Sequence, residues 1–89
     1  MRFEWDEKKN RANFRKHRVR FEEAQTVFED DAACLFADDA HSDDEARFII
    51  IGRSTSSRYL FVCHCYRTKD AIRIISARKA SAAEIRLYF

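Results

Sequence analysis

The sequence contains no proline, one glycine and three cysteines among 89 residues. The near absence of proline and glycine excludes collagen-like, low-complexity and linker-rich chains. An odd number of cysteines argues against a disulfide framework and fits a reducing compartment. No apolar run approaches the roughly 20 residues that a membrane span requires, and the N-terminal residues lack the apolar core of a signal peptide. We therefore expect one small cytoplasmic domain over residues 1–89, with no membrane partner.

Charge is distributed unevenly along the chain. The net charge is +5 over residues 1–20, −10 over residues 21–46 and +7 over residues 47–89. Twelve of the 17 basic residues are arginine, whose planar guanidinium suits phosphate. This distribution favours a polyanion-binding surface with an acidic rim, and it also fits a chain whose charges serve solubility alone.

Two helices are predicted near the N terminus. Asp6 is placed to cap a first helix that ends near His17, with acidic residues at its start and basic residues at its end. Lys9 and Lys16 share one side of this helix, where contact with phosphate and plain exposure to solvent fit the pattern equally well. A second short helix is predicted from an apolar stripe formed by Phe21, Ala24, Val27 and Phe28.

The remainder of the chain predicts mainly strands. Apolar and β-branched runs indicate four strands, at residues 33–37, 47–53, 58–66 and 71–77. The alternation of Phe3 and Trp5 with charged residues is typical of a short extra edge strand. Ser81 and Glu84 form a capping box that opens a C-terminal helix. We therefore predict an α+β fold in which two N-terminal helices pack on a mainly antiparallel four-stranded sheet, followed by a C-terminal helix.

Strand pairing brings basic residues together at two places. With four-residue loops in both hairpins, Arg47, His64 and Arg73 form one row on a single face of the sheet. A slip of one residue in the first hairpin would move Arg47 to the opposite face. At the other end of the sheet, four basic residues are predicted to lie close together: Arg53, Arg58, Arg78 and Lys79. Because their like charges repel one another, we expect an anion to bind there.

No metal site or cofactor is predicted. Residues 38–46 contain four aspartates and His41, but these lack a recognisable ligand spacing, and we interpret the segment as a solvated connection. Cys63 and Cys65 share a strand face without two further ligands at zinc spacing, so we expect free thiols in the core.

Taken jointly, the motifs resemble those of the BrnT toxins of bacterial type II toxin–antitoxin systems, which belong to the RelE-like group of small ribonucleases. The chain departs from this pattern at residues 18–20, Arg-Val-Arg, where such sequences often have Gly-Val-Ser and thus a left-handed helix stop and an N-cap. The resemblance covers nearly the whole chain and rests on Phe3-Glu4-Trp5-Asp6, Lys9, Asn13, Lys16-His17, Phe21-Glu22-Glu23-Ala24, Val27-Phe28, His41-Ser42, Glu45, Arg47-Phe48, Ile51-Gly52-Arg53-Ser54, His64, and Arg73-Ile74-Ile75-Ser76-Ala77-Arg78-Lys79-Ala80.

The resemblance implies a RelE-like fold and an RNA-cleaving toxin that inhibits translation and growth. It also implies a BrnA-like antitoxin with a ribbon-helix-helix end that neutralises the toxin. The expected assembly is a toxin–antitoxin hetero-oligomer, which contacts operator DNA only through the antitoxin.

Cleavage of RNA without a metal requires a base for the ribose 2′-hydroxyl, an acid for the leaving 5′-oxygen and positive charge at the phosphorane. We hypothesise that His64 transfers protons while Arg73 and Arg47 hold the scissile phosphate. The alternatives are a structural His64, an ion pair of Arg73 with Glu22 or Glu23, and a nucleic-acid- or antitoxin-binding module without turnover. Flanking phosphates are assigned to Arg53, Arg58, Arg78, Lys79, Lys9 and Lys16.

Overall fold

A five-stranded sheet in the order β1-β5-β4-β3-β2 carries the fold. It is described here from a computed structural model of residues 1–89. The strands are β1 (Arg2–Glu4), β2 (Cys34–Ala37), β3 (Phe48–Arg53), β4 (Tyr59–Thr68) and β5 (Ala71–Lys79). The helices are α1 (Glu7–His17), α2 (Phe21–Ala24) and α3 (Ala82–Tyr88). All neighbouring strands are antiparallel except β1, which pairs in parallel with β5 and confirms the expected edge strand.

The two faces of the sheet have different covers. The helix face lies under α1 and α2, and its buried core comprises Val19, Phe21, Ala24, Val27, Ile50, Leu60, Val62, Ile74 and Ala77. The other face, called the α3 face here, is covered at one end by α3. Apolar residues beneath and around α3 are Phe36, Ile49, Ile51, Phe61, Cys63, Ile75, Ala80 and Tyr88. None of the three helices is long and apolar enough to cross a membrane.

Local signals place α1 where the sequence predicts it. The Asp6 carboxylate accepts the backbone N–H of Lys8 at 2.8 Å, which satisfies a free donor of the first turn. The helix ends at Arg18, whose φ of 60° lies in the left-handed region. An arginine therefore takes the position at which helices usually end with glycine, at a strain of about 1 kcal/mol.

Buried amides attach α1 to its neighbours. The Asn13 side chain donates to the carbonyls of Val19 and Ala77, both at 2.8 Å, and accepts the Ala77 N–H at 3.1 Å. The Asn10 side-chain oxygen accepts the Phe21 N–H at 2.8 Å. This contact replaces the side-chain cap that Arg20 does not provide to α2.

The only glycine permits a close approach to β3. A Cβ atom added at Gly52 would lie 2.8 Å from Ala33 Cβ and 3.0 Å from Val27 Cγ1. The segment that follows α2, a 3₁₀ turn over Gln25–Glu29, can therefore rest directly on this strand.

The predicted register of the first hairpin is wrong by one residue. Arg53 pairs with Tyr59, so the connection contains the five residues 54–58 rather than four. Ser57 within it has a φ of 64°. Phe48 therefore lies opposite His64, and Arg47 belongs to the other face of the sheet.

The predicted register of the second hairpin is also wrong. Thr68 pairs with Ala71, so only two residues connect β4 to β5. The register shifts between Tyr66 and Thr68, which leaves Arg67 as an extra residue in β4, and again between Cys63 and His64, where Ile75 is the extra residue in β5. As a result His64 lies opposite Ile74, while Cys65 lies opposite Arg73, so the predicted row of Arg47, His64 and Arg73 does not exist.

Candidate active site

Two of the predicted site arginines share the α3 face. Arg73 pairs with Cys65, and the β3–β4 register, continued by one residue, brings Arg47 opposite Cys65 from the other side. Arg47 and Arg73 therefore flank a buried cysteine rather than a histidine. Both are half-buried, and neither guanidinium forms an ion pair with a carboxylate. This leaves both charges available to an anion.

A histidine and a carboxylate lie next to Arg47. The backbone N–H of Asp38 donates to the Arg47 carbonyl at 2.8 Å. Ser42 Oγ donates to the Asp38 carbonyl at 2.6 Å and accepts the Arg47 N–H at 3.0 Å. The chain from Asp38 to Ser42 forms a 3₁₀ turn over Asp39–His41. This turn brings His41 Nδ1 to 3.1 and 3.2 Å from the two Asp38 carboxylate oxygens. Since a carboxylate only accepts hydrogen bonds, the proton lies on Nδ1 and Nε2 remains free.

Two adjoining hollows share the side chains of His41 and Arg47. One has a volume of about 190 Å³ and is also lined by Asp43, Asp44 and Glu45. The other has a volume of about 200 Å³, and its remaining lining residues are Asp38, Ile49, Phe61, Cys63, Ile75 and Ser76. Together they form an open cleft, called the α3-face cleft here, with an acidic rim on one side and an apolar floor on the other.

The cysteines beneath this cleft are not activated thiols. Burial raises the pKa of Cys63, and the nearby Asp38 carboxylate raises it further. Burial also raises the pKa of Cys65, as does its contact with Glu45. Both side chains therefore remain protonated at neutral pH and serve as small core residues. No group of three or more His, Cys, Asp or Glu side chains is arranged to hold a metal ion.

His64 lies on the helix face and is 0% exposed. Its Nδ1–H donates to the Val62 carbonyl at 3.3 Å, and Nε2 accepts from the Tyr66 hydroxyl at 3.4 Å. The Phe28 ring packs edge-on against it, with centroids 4.8 Å apart. Burial lowers the pKa of His64 to about 4, so the ring is neutral at physiological pH. The geometry matches the structural alternative and gives RNA no access to this imidazole.

Two arginines of the cluster predicted at the far end of the sheet form ion pairs with carboxylates of the protein itself. Arg58 forms an ion pair with Glu23, whose pKa is lowered chiefly by this hydrogen bond. Arg78 donates to both carboxylate oxygens of Glu84 at 2.9 and 2.8 Å and lowers the pKa of that acid to about 2. The Arg78 guanidinium also lies 3.9 Å from the centre of the Phe61 ring. The expectation that this cluster requires an external anion is therefore wrong for these two arginines.

The remaining predicted phosphate ligands lie apart from the α3-face cleft. Arg53 and Lys79 are exposed at the far end of the sheet. Lys9 and Lys16 are exposed on α1, which covers the opposite face. The fold therefore does not bring the predicted set together at one place.

Sequence reasoning missed the pair formed by Asp38 and His41. Their spacing of three residues within an acidic loop carries no ligand or catalytic signature. The signal that was present is the segment His41-Ser42, which belongs to the family resemblance. Only the geometry of the turn shows that Ser42 accepts the Arg47 N–H and so holds His41 and Arg47 close together.

Comparison with known proteins agrees with this architecture. A family model described as "Ribonuclease toxin, BrnT, of type II toxin-antitoxin system" matches residues 5–84. The crystal structure of the Brucella abortus ribonuclease toxin BrnT is similar, with a TM-score of 0.71 and 26% sequence identity over 91% of this chain and 97% of that one. No curated protein matches the chain. The α+β fold expected from the sequence is thereby confirmed, and the chain belongs to the BrnT family of ribonuclease toxins of type II toxin–antitoxin systems.

Proposed function

We propose that this toxin cleaves RNA in the α3-face cleft, with His41 as the proton-transfer residue and Arg47 and Arg73 as the ligands of the scissile phosphate. One observation carries the proposal: the pair of Asp38 and His41 lines the same cleft as Arg47. The pair supplies a proton-transfer group and Arg47 supplies positive charge, both of which cleavage through the 2′-hydroxyl requires.

The hydrogen bond from His41 Nδ1 to Asp38 orients the imidazole and leaves Nε2 free for substrate. An aspartate holds a catalytic histidine in the same way in other hydrolases. In the reaction, the ribose 2′-oxygen loses its proton and attacks the adjacent phosphorus. The bond from phosphorus to the 5′-oxygen breaks, and that oxygen takes a proton. His41 serves one of these two proton transfers, as base for the 2′-hydroxyl or as acid for the 5′-oxygen, and solvent water serves the other.

Arg47 and Arg73 supply the positive charge that the phosphorane needs. Each arginine is half-buried, and neither forms an ion pair with an internal carboxylate. Partial burial strengthens the attraction to a phosphate because the surrounding dielectric is lower than that of water. Because His41 supplies a proton-transfer group and the two arginines supply positive charge, we propose that the reaction is independent of a metal ion.

In the cell, such cleavage removes RNA and inhibits translation and growth. Family membership supports a cognate antitoxin, which we propose to be BrnA-like with a ribbon-helix-helix end. The toxin then resides in the cytoplasm within a toxin–antitoxin hetero-oligomer and contacts operator DNA only through that antitoxin.

The test is incubation of the purified chain with RNA in excess EDTA, comparing wild type with Arg47→Ala and Arg73→Ala. We expect wild type to yield 2′,3′-cyclic phosphate and 5′-hydroxyl ends, and each variant to cleave at least about tenfold more slowly. Full activity in both variants would overturn the site. Salt-sensitive RNA binding without any cleavage by wild type would instead support a binding module without turnover.

A further inference from the structure

α1 and the turn after it present a strip of positive charge that the cleft does not use. Residues 8–20 contain no Asp or Glu. All of the cations in this segment are exposed, and none takes part in an ion pair. We call them the α1 strip; its members are Lys8, Lys9, Arg11, Arg15, Lys16, Arg18 and Arg20.

Several of these side chains are arranged in order along the helix. Lys8, Arg11 and Arg15 follow one another on one side at intervals of three and four residues, over about 10 Å of α1. Beyond the helix end, the Arg20 guanidinium lies 4.0 Å from the centre of the Phe14 ring, and that of Arg18 lies 5.5 Å from it. Stacking on an aromatic ring holds both guanidiniums without neutralising them.

The strip and the α3-face cleft lie on different sides of the molecule. α1 packs on the helix face through Asn13 and against α2 through Asn10, so its exposed side points away from the sheet. Arg47 and Arg73 project from the opposite face. One phosphate cannot contact both surfaces, so a ligand shared by them must be a chain of several nucleotides.

The composition of the strip favours phosphate over a protein. Protein interfaces carry an apolar or aromatic centre and are poor in lysine. The exposed side of α1 offers only Ala12 as an exposed apolar residue beside three lysines and two arginines, so it lacks an apolar centre. Binding to a phosphate backbone needs charge alone, released counterions supplying the free energy.

We infer that the α1 strip is a second RNA-binding surface, which holds the phosphate backbone several nucleotides away from the bond cleaved in the α3-face cleft. Because this RNA is the substrate proposed for the cleft, the inference rests on the proposed function. It adds a substrate class to that function: long RNA is bound by both surfaces, and RNA of about four nucleotides by the cleft alone.

The test measures binding of a 2′-O-methyl RNA of about 30 nucleotides, long enough for several site sizes of this kind. Such RNA lacks the attacking hydroxyl and cannot be cut. Fluorescence anisotropy over a range of salt concentrations compares wild type with Arg11→Gln/Arg15→Gln. The matched control is Lys69→Gln/Arg86→Gln, which removes the same charge from two exposed residues outside the strip.

We expect the strip variant to bind about tenfold more weakly, and its slope of log affinity against log salt to be smaller by about 1.4, or about 0.7 per lost phosphate contact. The control should stay within about twofold of wild type. Equal losses in both variants, or none in either, would overturn the inference. A glutamate peptide of equal charge that displaces the RNA at similar concentration would assign the strip to an acidic protein instead.

Cleavage assays separate this inference from the proposed function. With the long RNA, the strip variant should show a raised KM and an unchanged kcat, and with the short RNA it should match wild type. If wild type binds the methylated RNA through the strip but cleaves no RNA, the proposed cleavage in the cleft is contradicted and the inference about the strip is not. If the strip variant cleaves RNA normally and its affinity for RNA is unchanged, the inference about the strip is contradicted and the proposed cleavage in the cleft is not.

Discussion

Cys65 and Arg73 are direct partners across β4 and β5, so Arg73 projects from the face of the sheet opposite to the imidazole of His64. The face with Arg73 is open to solvent beyond α3 and contains the cleft with His41. The face with His64 is sealed by α1, α2 and the segment that follows them. His64 and His41 therefore lie on opposite sides of the sheet.

Replacement of Asn13 should destabilise the fold strongly. Asn13→Ala leaves the N–H and the carbonyl of Ala77 and the carbonyl of Val19 without their side-chain partner in a buried site. We expect a loss of about 3 kcal/mol in the free energy of unfolding, from buried polar groups left unsatisfied. Urea denaturation measures it, with the exposed Lys16→Ala as control. Equal stability of the two variants would contradict the anchoring role.

Arg58 should matter for stability and not for catalysis. Arg58→Gln removes the partner of the half-buried Glu23 and should lower the free energy of unfolding by about 2 kcal/mol. Cleavage per folded molecule should remain close to wild type. The exposed Arg53→Gln should change stability by less than about 0.5 kcal/mol. A loss of activity in folded Arg58→Gln would return this residue to the RNA-binding set.

His64 should make the fold sensitive to acid. Its pKa is about 4 in the folded chain against 6.5 as the ordinary value, so between these pH values the unfolded chain binds more protons. Its contribution is fully present above pH 6.5 and is lost as the pH falls towards 4, by at most about 1.4 kcal/mol per pH unit. His64→Phe should flatten the dependence of unfolding free energy on pH in this window. An unchanged slope would contradict the buried neutral imidazole.

Replacing Arg18, the residue with left-handed backbone geometry at the end of α1, should increase the stability of the fold. Arg18→Gly relieves a φ of 60° at a position where glycine is unstrained, and we expect a gain of about 0.5 kcal/mol in unfolding free energy. Thermal denaturation measures the gain. Ala12→Gly, within the helix, should lower stability by about 1 kcal/mol and serves as the opposite control. A destabilised Arg18→Gly would show that the side chain contributes more than its backbone strain removes.

Local chemistry explains what the sequence was able to predict. Asp6 caps α1 and the Ser81–Glu84 box opens α3, because capping depends on residues a few positions apart. Strand positions follow from β-branched and aromatic composition in the same way. The strand register depends instead on the loops and bulges that connect the strands.

Those features leave little trace in this sequence. Ser57 holds a left-handed position without the glycine or asparagine that would have marked a five-residue loop. The extra residue Arg67 lies in a polar stretch that the sequence assigns to the turn, so nothing marks it as a bulge in β4. The contact between His41 and Asp38 depends on a 3₁₀ turn inside an acidic segment, where composition indicates only exposure. These features explain why the candidate site contains His41 rather than the predicted His64.

The most direct measurement is the single-turnover cleavage rate of His41→Ala beside that of His64→Phe, both expressed per folded molecule. With proton transfer assigned to the α3-face cleft, His41→Ala should lose about 10²–10⁴-fold in rate while His64→Phe stays within about threefold of wild type. The reverse pattern, with full activity in His41→Ala and a folded but inactive His64→Phe, would contradict the account.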